Sequence, residues 1–333
     1  MIPSADILAI LIYILAIFVI YHSYKSRGAF KTVLLLLGFL VSGGCIENVN
    51  IIVGGYYYPP SPLTFFIYRC PLWVWLGWYL IAYCGVFIAH SIIGNGRGSL
   101  QIVGIGTELE NGIDKKFILH TIMRSAFAAY ISMLIGLVMD PVAAANGWWI
   151  WRVDNIYIHG VPFGNYIGWC LVVFWTLFFY DLIIAWSSTE GKKESTTVIY
   201  WSIASVAALL LAGLALMGTT FAFGMDGIRT DNRTPLMEMV LNVNWGEIMI
   251  AGIMVLIAVG LILATQFIPN RMPKPQPMEK TMYILPPIIL LIYWAVMIVT
   301  AAYTSSLLVA TGILNCIPLF LICNYYLRKS YQK

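Results

Sequence analysis

Two acidic residues lie in otherwise apolar stretches of the sequence, and both are candidates for proton transfer. Glu47 belongs to the segment GGCIENVN at residues 43–50, and Asp140 belongs to MDPVAAA at residues 139–145. A carboxyl group that is buried without a cationic partner stays protonated, and in an apolar site it is a proton donor. Two carboxyl groups in different environments can divide the roles of acid and base. We therefore expect one of them to be the acid, and the other to be the base or to orient water.

Two asparagines near these acids are candidates for positioning a water molecule. Asn50 lies three residues after Glu47 and shares its helix face. Asn165 lies at the start of a later apolar run, where capping the helix is its alternative role. Structural alternatives exist for the acids as well. Glu47 can make a helix–helix hydrogen bond, and Asp140 can simply end a helix, because Pro141 disfavours helix at the residue before it.

Four further charged residues bear on the same chemistry. Asp226 and Glu247 are reserve candidates for the acid or the base. Arg69 or Arg152 can pair with a carboxylate, which would hold that carboxylate ionised and make it a poor acid. The six cysteines show no CxxC spacing and predict no metal site.

Aromatic residues crowd the segments that follow the two acids. An aromatic face stabilises a nearby cation through its quadrupole, by about 2 kcal/mol or more when the pair is desolvated. The rings that we expect to line a substrate pocket are Tyr56, Tyr58, Trp149, Trp151, Tyr157 and Trp169. The alternative for any one of them is a place in the aromatic belt at a membrane surface.

The elements that must position these residues are membrane-spanning helices. Of the 333 residues, 60% are hydrophobic and only 10% are charged, which excludes a soluble enzyme, a disordered protein and a nucleic-acid binder. A bilayer core of roughly 30 Å needs about 20 apolar residues per helix. We expect an all-α, polytopic membrane helical bundle that forms a single domain over residues 1–333. About nine transmembrane helices are predicted, with eight to ten compatible with the pattern, at residues 5–24, 32–53, 72–94, 117–139, 163–186, 197–222, 246–268, 282–301 and 305–327.

The basic residues predict the orientation of this bundle in the cell membrane. With nine helices and an outer N-terminus, most Lys and Arg residues fall in inner loops, as the positive-inside rule requires. The outer loops then hold only four, at Arg69, Arg152, Arg229 and Arg233. We therefore expect the N-terminus outside and the C-terminus in the cytoplasm.

The order and spacing of short motifs around the candidate residues resemble the integral-membrane carotenoid biosynthesis family, which includes membrane-bound carotenoid 1,2-hydratases. The resemblance covers about residues 40–185. The matching positions are Gly44, Glu47, Gly55, Tyr56, Tyr58, Asp140, Pro141, Val142, Ala143, Gly147, Trp149, Trp151, Tyr157, Gly160, Val161, Pro162, Asn165, Gly168 and Trp169.

This resemblance implies a hydro-lyase that works without a cofactor. Its substrate would be an acyclic C40–C50 carotenoid from the lipid phase, and its co-substrate would be water. Membrane lipids would surround it, nucleic acid would not be a partner, and an association with other enzymes of the carotenoid pathway stays open. The alternatives are a secondary transporter and a non-catalytic membrane protein that binds a carotenoid or another isoprenoid.

Overall fold

Long helices make up most of the described chain. The computed structural model describes residues 4–93, 113, 115–152, 157–158, 160–222, 257, 277–302, 313 and 317–325. The helices are α1 Ser4–Arg27, α2 Ala29–Ile52, α3 Leu72–Ile93, α4 Lys115–Ala145, α5 Phe163–Thr189, α6 Glu194–Ala222 and α7 Pro277–Ala302. Residues 317–325 are also helical. The runs expected at 246–268 and 305–327 lie largely outside the described residues, as do the reserve acids Asp226 and Glu247.

Six of the described helices, α1 to α6, are long and apolar enough to cross a membrane. The apolar part of α7, Ile284–Thr300, is shorter. The expected helical architecture is therefore confirmed for this part of the chain, whereas the number of nine helices is not. α3 lies at the centre, since every residue from 77 to 89 is buried, and it packs against α1, α2, α4 and α7.

Helix α4 continues beyond the point where the sequence predicts its end. Pro141 lies inside the helix, which ends only at Ala145. Proline removes one backbone donor and disfavours helix at the residue before it. Here the residues around it are packed against neighbouring elements, with Asp140, Val142 and Ala143 all at most 2% exposed. This burial outweighs the local preference, and the expectation that Asp140 merely ends a helix is wrong.

Short antiparallel strand pairs, which the sequence did not predict, join the loops at one end of the bundle. They are β1 Tyr56–Tyr57 with β4 Ile150–Trp151, β2 Phe66–Ile67 with β3 Cys70–Pro71, and β5 Tyr157–Ile158 with β6 Val161–Pro162. The β1–β4 pair connects the loop after α2 to the loop after α4. Arg152 N donates to Gly55 O at 2.9 Å and extends this pair. The pairing holds the aromatic segments of both loops against the ends of α2 and α4.

Two glycines of α2 let tryptophan rings of α3 approach its backbone. A Cβ atom at Gly43 would lie 2.4 Å from Trp78 Cγ, and one at Gly44 would lie 2.2 Å from Trp75 Cδ2 and Cε3. Both distances are far below van der Waals contact, so only glycine fits. Small residues allow such close helix packing in membranes, and here they seat Trp78 beside Glu47.

Candidate active site

Glu47 is buried near the end of α2, where three side chains donate hydrogen bonds to it. Its Oε2 accepts hydrogen bonds from Tyr56 Oη and, at 2.8 Å, from Tyr58 Oη. Its Oε1 accepts one from Trp78 Nε1 at 3.0 Å. The residue as a whole is 9% exposed. The two tyrosines belong to the loop after α2, so the chain folds back to cover its own acid.

The two tyrosines can act as neutral partners of Glu47. Burial, together with the nearby Glu47 charge, raises the pKa of the Tyr56 and Tyr58 phenols well above the usual value. Both hydroxyls therefore stay protonated at neutral pH. A hydroxyl can donate or accept a hydrogen bond, so it can adapt to either protonation state of Glu47.

Asp140 lies on α4 and is tied to the beginning of α5. Asn165 Nδ2 donates to Asp140 Oδ2, and the Trp169 side chain makes a second hydrogen bond to this carboxyl group. The residue is 2% exposed. Asn165 does not cap α5, because Pro162 occupies the N-cap position and no side chain caps it. The helix-capping alternative for Asn165 is therefore wrong, and its amide reaches the acid instead.

The arginines considered as partners of these acids bind aromatic rings instead. The Arg152 guanidinium lies 4.2 Å from the centroid of the Tyr57 ring, and that of Arg69 lies 5.4 Å from the Tyr68 ring. Among the described residues, neither Glu47 nor Asp140 forms an ion pair. The expectation that Arg69 or Arg152 holds one of these carboxylates is therefore wrong for the part of the chain that the structure describes.

Both acids line one small cavity near the end of the bundle that carries the strand pairs. Its volume is about 40 Å³. Six of the predicted residues surround it with the two acids: Asn165, Tyr56, Tyr58, Trp149, Trp151 and Trp169. A second cavity of about 220 Å³ adjoins it and brings Asn50 together with Glu47. The structure therefore gathers residues that lie far apart in the sequence around adjoining spaces.

The rings around the small cavity form a continuous aromatic wall. Tyr58 meets Trp73 and Trp149 edge-on, with centroids 5.9 Å away in each case, and Trp73 stacks on Trp149 at 6.4 Å. Trp78 stacks on Trp169 at 4.5 Å. Such faces can stabilise a cation that develops beside them.

Some residues of this site were missed by sequence reasoning. They are Ile12, Trp73, Val74, Gly77, Trp78, Ile81, Met139 and Tyr293. A signal existed for Trp73 and Trp78, because the third apolar run begins with tryptophans at the same end as Glu47. The Tyr293 hydroxyl donates to Met139 Sδ at 2.6 Å and so links α7 to the site; no pattern in the sequence indicates this contact.

Three predicted site residues remain without a described side chain. The backbone of Tyr157 pairs with Pro162 in the β5–β6 ladder, which places it in the loop between α4 and α5. Asp226 and Glu247 lie outside the described residues. In the part of the chain that is described, no group of three or more His, Cys, Asp or Glu side chains is arranged to hold a metal ion.

Comparison with known proteins places this arrangement in a family. Residues 6–230 match the profile of the family described as carotenoid biosynthesis protein, a wider region than the 40–185 that the motifs indicated. A stretch of 39 residues is 51% identical to bisanhydrobacterioruberin hydratase of Haloarcula japonica, and it covers 12% of this chain and 13% of that protein. No solved structure matches. Because the family profile matches well over half of the chain, this protein belongs to the carotenoid biosynthesis protein family.

Proposed function

We propose that this protein adds water to the terminal C=C bond of an acyclic carotenoid and so forms a tertiary alcohol. The observation that carries the proposal is that Glu47 and Asp140, both buried and neither in an ion pair among the described residues, line one cavity walled by aromatic rings. Membership of a carotenoid biosynthesis family supports the substrate class. The short match to a protein named as a hydratase supports the reaction.

The reaction needs two proton transfers. One carboxyl group donates a proton to the less substituted carbon of the double bond, and the π electrons form the new C–H bond. The tertiary carbon becomes a cation, and the oxygen of water bonds to it. The other carboxylate takes the proton that this water loses. The reaction consumes one alkene and one water and forms one alcohol. The two carboxyl groups return to their starting states when one proton passes from one to the other.

In this mechanism the aromatic rings stabilise the cation. The tertiary cation is the least stable species in the sequence of steps, and each desolvated ring face lowers its energy by about 2 kcal/mol or more. Trp78, Trp151 and Trp169 line both the small and the large cavity. A C40–C50 polyene is about as long as the roughly 30 Å bilayer core. Only one end can therefore react at a time.

Two substitutions at the acids test the proposal. The protein and its Glu47→Gln and Asp140→Asn variants are produced in a host that accumulates an acyclic C40 carotenoid. The masses of the extracted pigments are then measured by mass spectrometry. The wild type is expected to yield pigment heavier by one water. Each variant should lose about 100-fold or more of this conversion, because it removes one acid–base group.

A third variant serves as the matched control. Asp6 is also a buried acid, 1% exposed, but it accepts hydrogen bonds from Leu63 N at 3.1 Å and from Ser61, away from both cavities. Asp6→Asn is expected to retain conversion. Full activity in both acid variants would refute the proposed chemistry. Unchanged pigment that co-purifies with the wild type would instead identify a non-catalytic carotenoid-binding protein.

A further inference from the structure

The two cavities meet at a partition that contains Glu47. The partition consists of the residues that line both: Glu47, Tyr56, Trp78, Trp151, Asn165 and Trp169. Two ring pairs belong to it, since Trp78 stacks on Trp169 at 4.5 Å and Tyr56 meets Trp151 edge-on at 4.7 Å. Asp140 lines the small cavity but not the large one, whereas Glu47 lines both.

The large cavity has the size and lining for the end of a linear isoprenoid. Beyond the partition its lining is mostly small or apolar, with Ile46, Val53, Gly168 and Ala212 among its residues. A cavity of about 150 Å³ in another protein admits benzene, so about 220 Å³ has room for a branched five-carbon end group. Val53 is 74% exposed, so among the described residues this cavity reaches the apolar outer surface beside α2.

The small cavity has the size and lining for water. Its volume of about 40 Å³ exceeds the minimum for one water and is too small for a branched hydrocarbon end. A buried water needs two to four polar partners. Asp140, Asn165 and Tyr58, which all carry polar side-chain groups, line this space.

The hydrogen bonds of the two acids also differ in kind. Glu47 Oε1 accepts from the Trp78 indole, but the partners of its Oε2 are tyrosine hydroxyls, which can turn to accept a hydrogen bond from a protonated carboxyl group. Asp140 is bonded by Trp169, and an indole N–H can only donate. Glu47 therefore has partners that can accept a hydrogen bond from its protonated form, whereas the partners of Asp140, the Asn165 amide nitrogen and the Trp169 indole, are donors.

We propose that the large cavity binds the terminal isoprene unit, that the small cavity holds the attacking water, and that Glu47 is the acid and Asp140 the base. This inference rests on the proposed function and assigns the acid, the base and the two binding spaces to particular residues and cavities. The carotenoid end enters the large cavity from the lipid and lies against Glu47, which belongs to the partition and protonates the double bond. Water from the small cavity attacks the cation and gives its proton to Asp140.

Substitutions that fill one cavity at a time test whether the large cavity binds the isoprene unit and the small cavity holds the water. Ala212, 3% exposed, lines the large cavity, whereas a Cβ atom at the adjacent Gly213 meets nothing within 4 Å. With purified full-length protein and lycopene as the probe, Ala212→Leu should weaken binding by about tenfold or more. Gly213→Leu adds the same side chain outside the cavity and should leave binding unchanged. Equal binding by wild type and Ala212→Leu would overturn the assignment of the large cavity.

A methyl group in the small cavity should act differently. A Cβ atom at Gly77 lies 3.8 Å from Ile12 Cδ1, an ordinary contact, so alanine fits while it takes up part of the water space. Gly77→Ala should retain lycopene binding but lower kcat by about tenfold or more, because the water is displaced from its position. A loss of binding without a loss of kcat would overturn the assignment of the small cavity.

Deuterium exchange tests the two roles. In heavy water, Asp140→Asn can still protonate the alkene, and the cation can lose a proton again to Glu47. Recovered lycopene should therefore carry deuterium at the protonated carbon with Asp140→Asn and none with Glu47→Gln. The reverse pattern would assign the acid to Asp140 and overturn the inference. If the wild type binds lycopene in the large cavity but forms no alcohol, the proposed function fails while the binding site stands.

Discussion

Among individual residues, Glu47 shows most clearly how neighbouring side chains can leave a buried carboxyl group able to carry a proton. Its carboxyl group has no cationic partner among the described residues, and its hydrogen bonds come from Tyr56, Tyr58 and Trp78. A fixed positive charge would hold the group ionised. Neutral donors form hydrogen bonds with its oxygens and still leave it able to carry a proton. The proposed protonation of an alkene carbon requires such a protonated carboxyl group.

The buried phenols around Glu47 make stability depend on pH in the alkaline range. The pKa of Tyr56 and Tyr58 is raised in the folded state, whereas an unfolded tyrosine titrates near 10. Their contribution to the free energy of unfolding is therefore complete below about pH 10 and is lost as pH rises toward the folded pKa. We expect a Tyr56→Phe, Tyr58→Phe double variant to lose less stability between about pH 9 and pH 11 than the wild type, measured by thermal unfolding in detergent.

The control is a tyrosine that is not buried. Tyr68 is 69% exposed, and Tyr68→Phe should leave the wild-type dependence on pH unchanged. If the double variant loses stability as steeply as the wild type does, the two phenols do not ionise on unfolding in the way their burial implies.

Sequence reasoning located the two acids because a carboxyl group in an apolar stretch is conspicuous. It also placed Asn50 on the same face as Glu47, and both line the large cavity. The tryptophans at the start of the third apolar run were a signal, but sequence reasoning could not assign Trp73 and Trp78 to the site, because a tryptophan in an apolar helix looks the same whether it faces lipid or a cavity. Nor could it see that Asn165 turns toward Asp140, since two helices must first be packed together.

Among the elements, the contact between α2 and α3 positions the acid. Gly43→Ala would place a Cβ atom 2.4 Å from Trp78 Cγ, so the ring or the backbone must shift, and we expect this to disturb the hydrogen bond from Trp78 to Glu47. Overpacking of this kind costs about 1–3 kcal/mol. We expect lower thermal stability and lower hydration activity together. Gly213→Ala, where a Cβ atom meets nothing within 4 Å, should lower neither. Wild-type activity in Gly43→Ala would show that the position of Trp78 does not matter.

The conformation of the loop after α2 depends on contacts that form only in the folded chain. Asn48, which follows Glu47, accepts a hydrogen bond from Arg69 N at 3.0 Å and donates one to Gly44 O at 2.9 Å. It thereby holds the β2–β3 turn, in which Tyr68 has a positive φ of 62° that is uncommon for a residue other than glycine. Strands of two residues leave no periodic pattern, which is why the sequence did not predict them.

For the whole molecule, the two ends of the bundle differ in chemistry. The candidate site and the strand pairs lie at one end. Near the other end, Arg124 of α4 pairs with Asp181 of α5 at 3.4 Å, and both side chains are almost fully buried. Both charges lie in apolar runs of the sequence, but that they meet depends on how the two helices pack, which the sequence does not show.

The orientation of the bundle is a prediction from the charge of its loops. Phe65 in the loop after α2 is 67% exposed, and Glu190 in the loop after α5 is 57% exposed. In a variant with the native cysteines replaced by serine, a cysteine at Phe65 should react with a membrane-impermeant maleimide in intact cells. A cysteine at Glu190 should react only after the membrane is opened. The opposite pattern would place the N-terminus and the candidate site on the cytoplasmic side.

Isotopic labelling of the product gives the sharpest test of hydration by this protein. Purified full-length protein is incubated with lycopene in water enriched in oxygen-18, and the product is analysed by mass spectrometry. The account predicts a tertiary alcohol whose hydroxyl oxygen carries the label, formed by the wild type and not by Glu47→Gln. An unchanged pigment, or an alcohol whose oxygen comes from dioxygen, would contradict it.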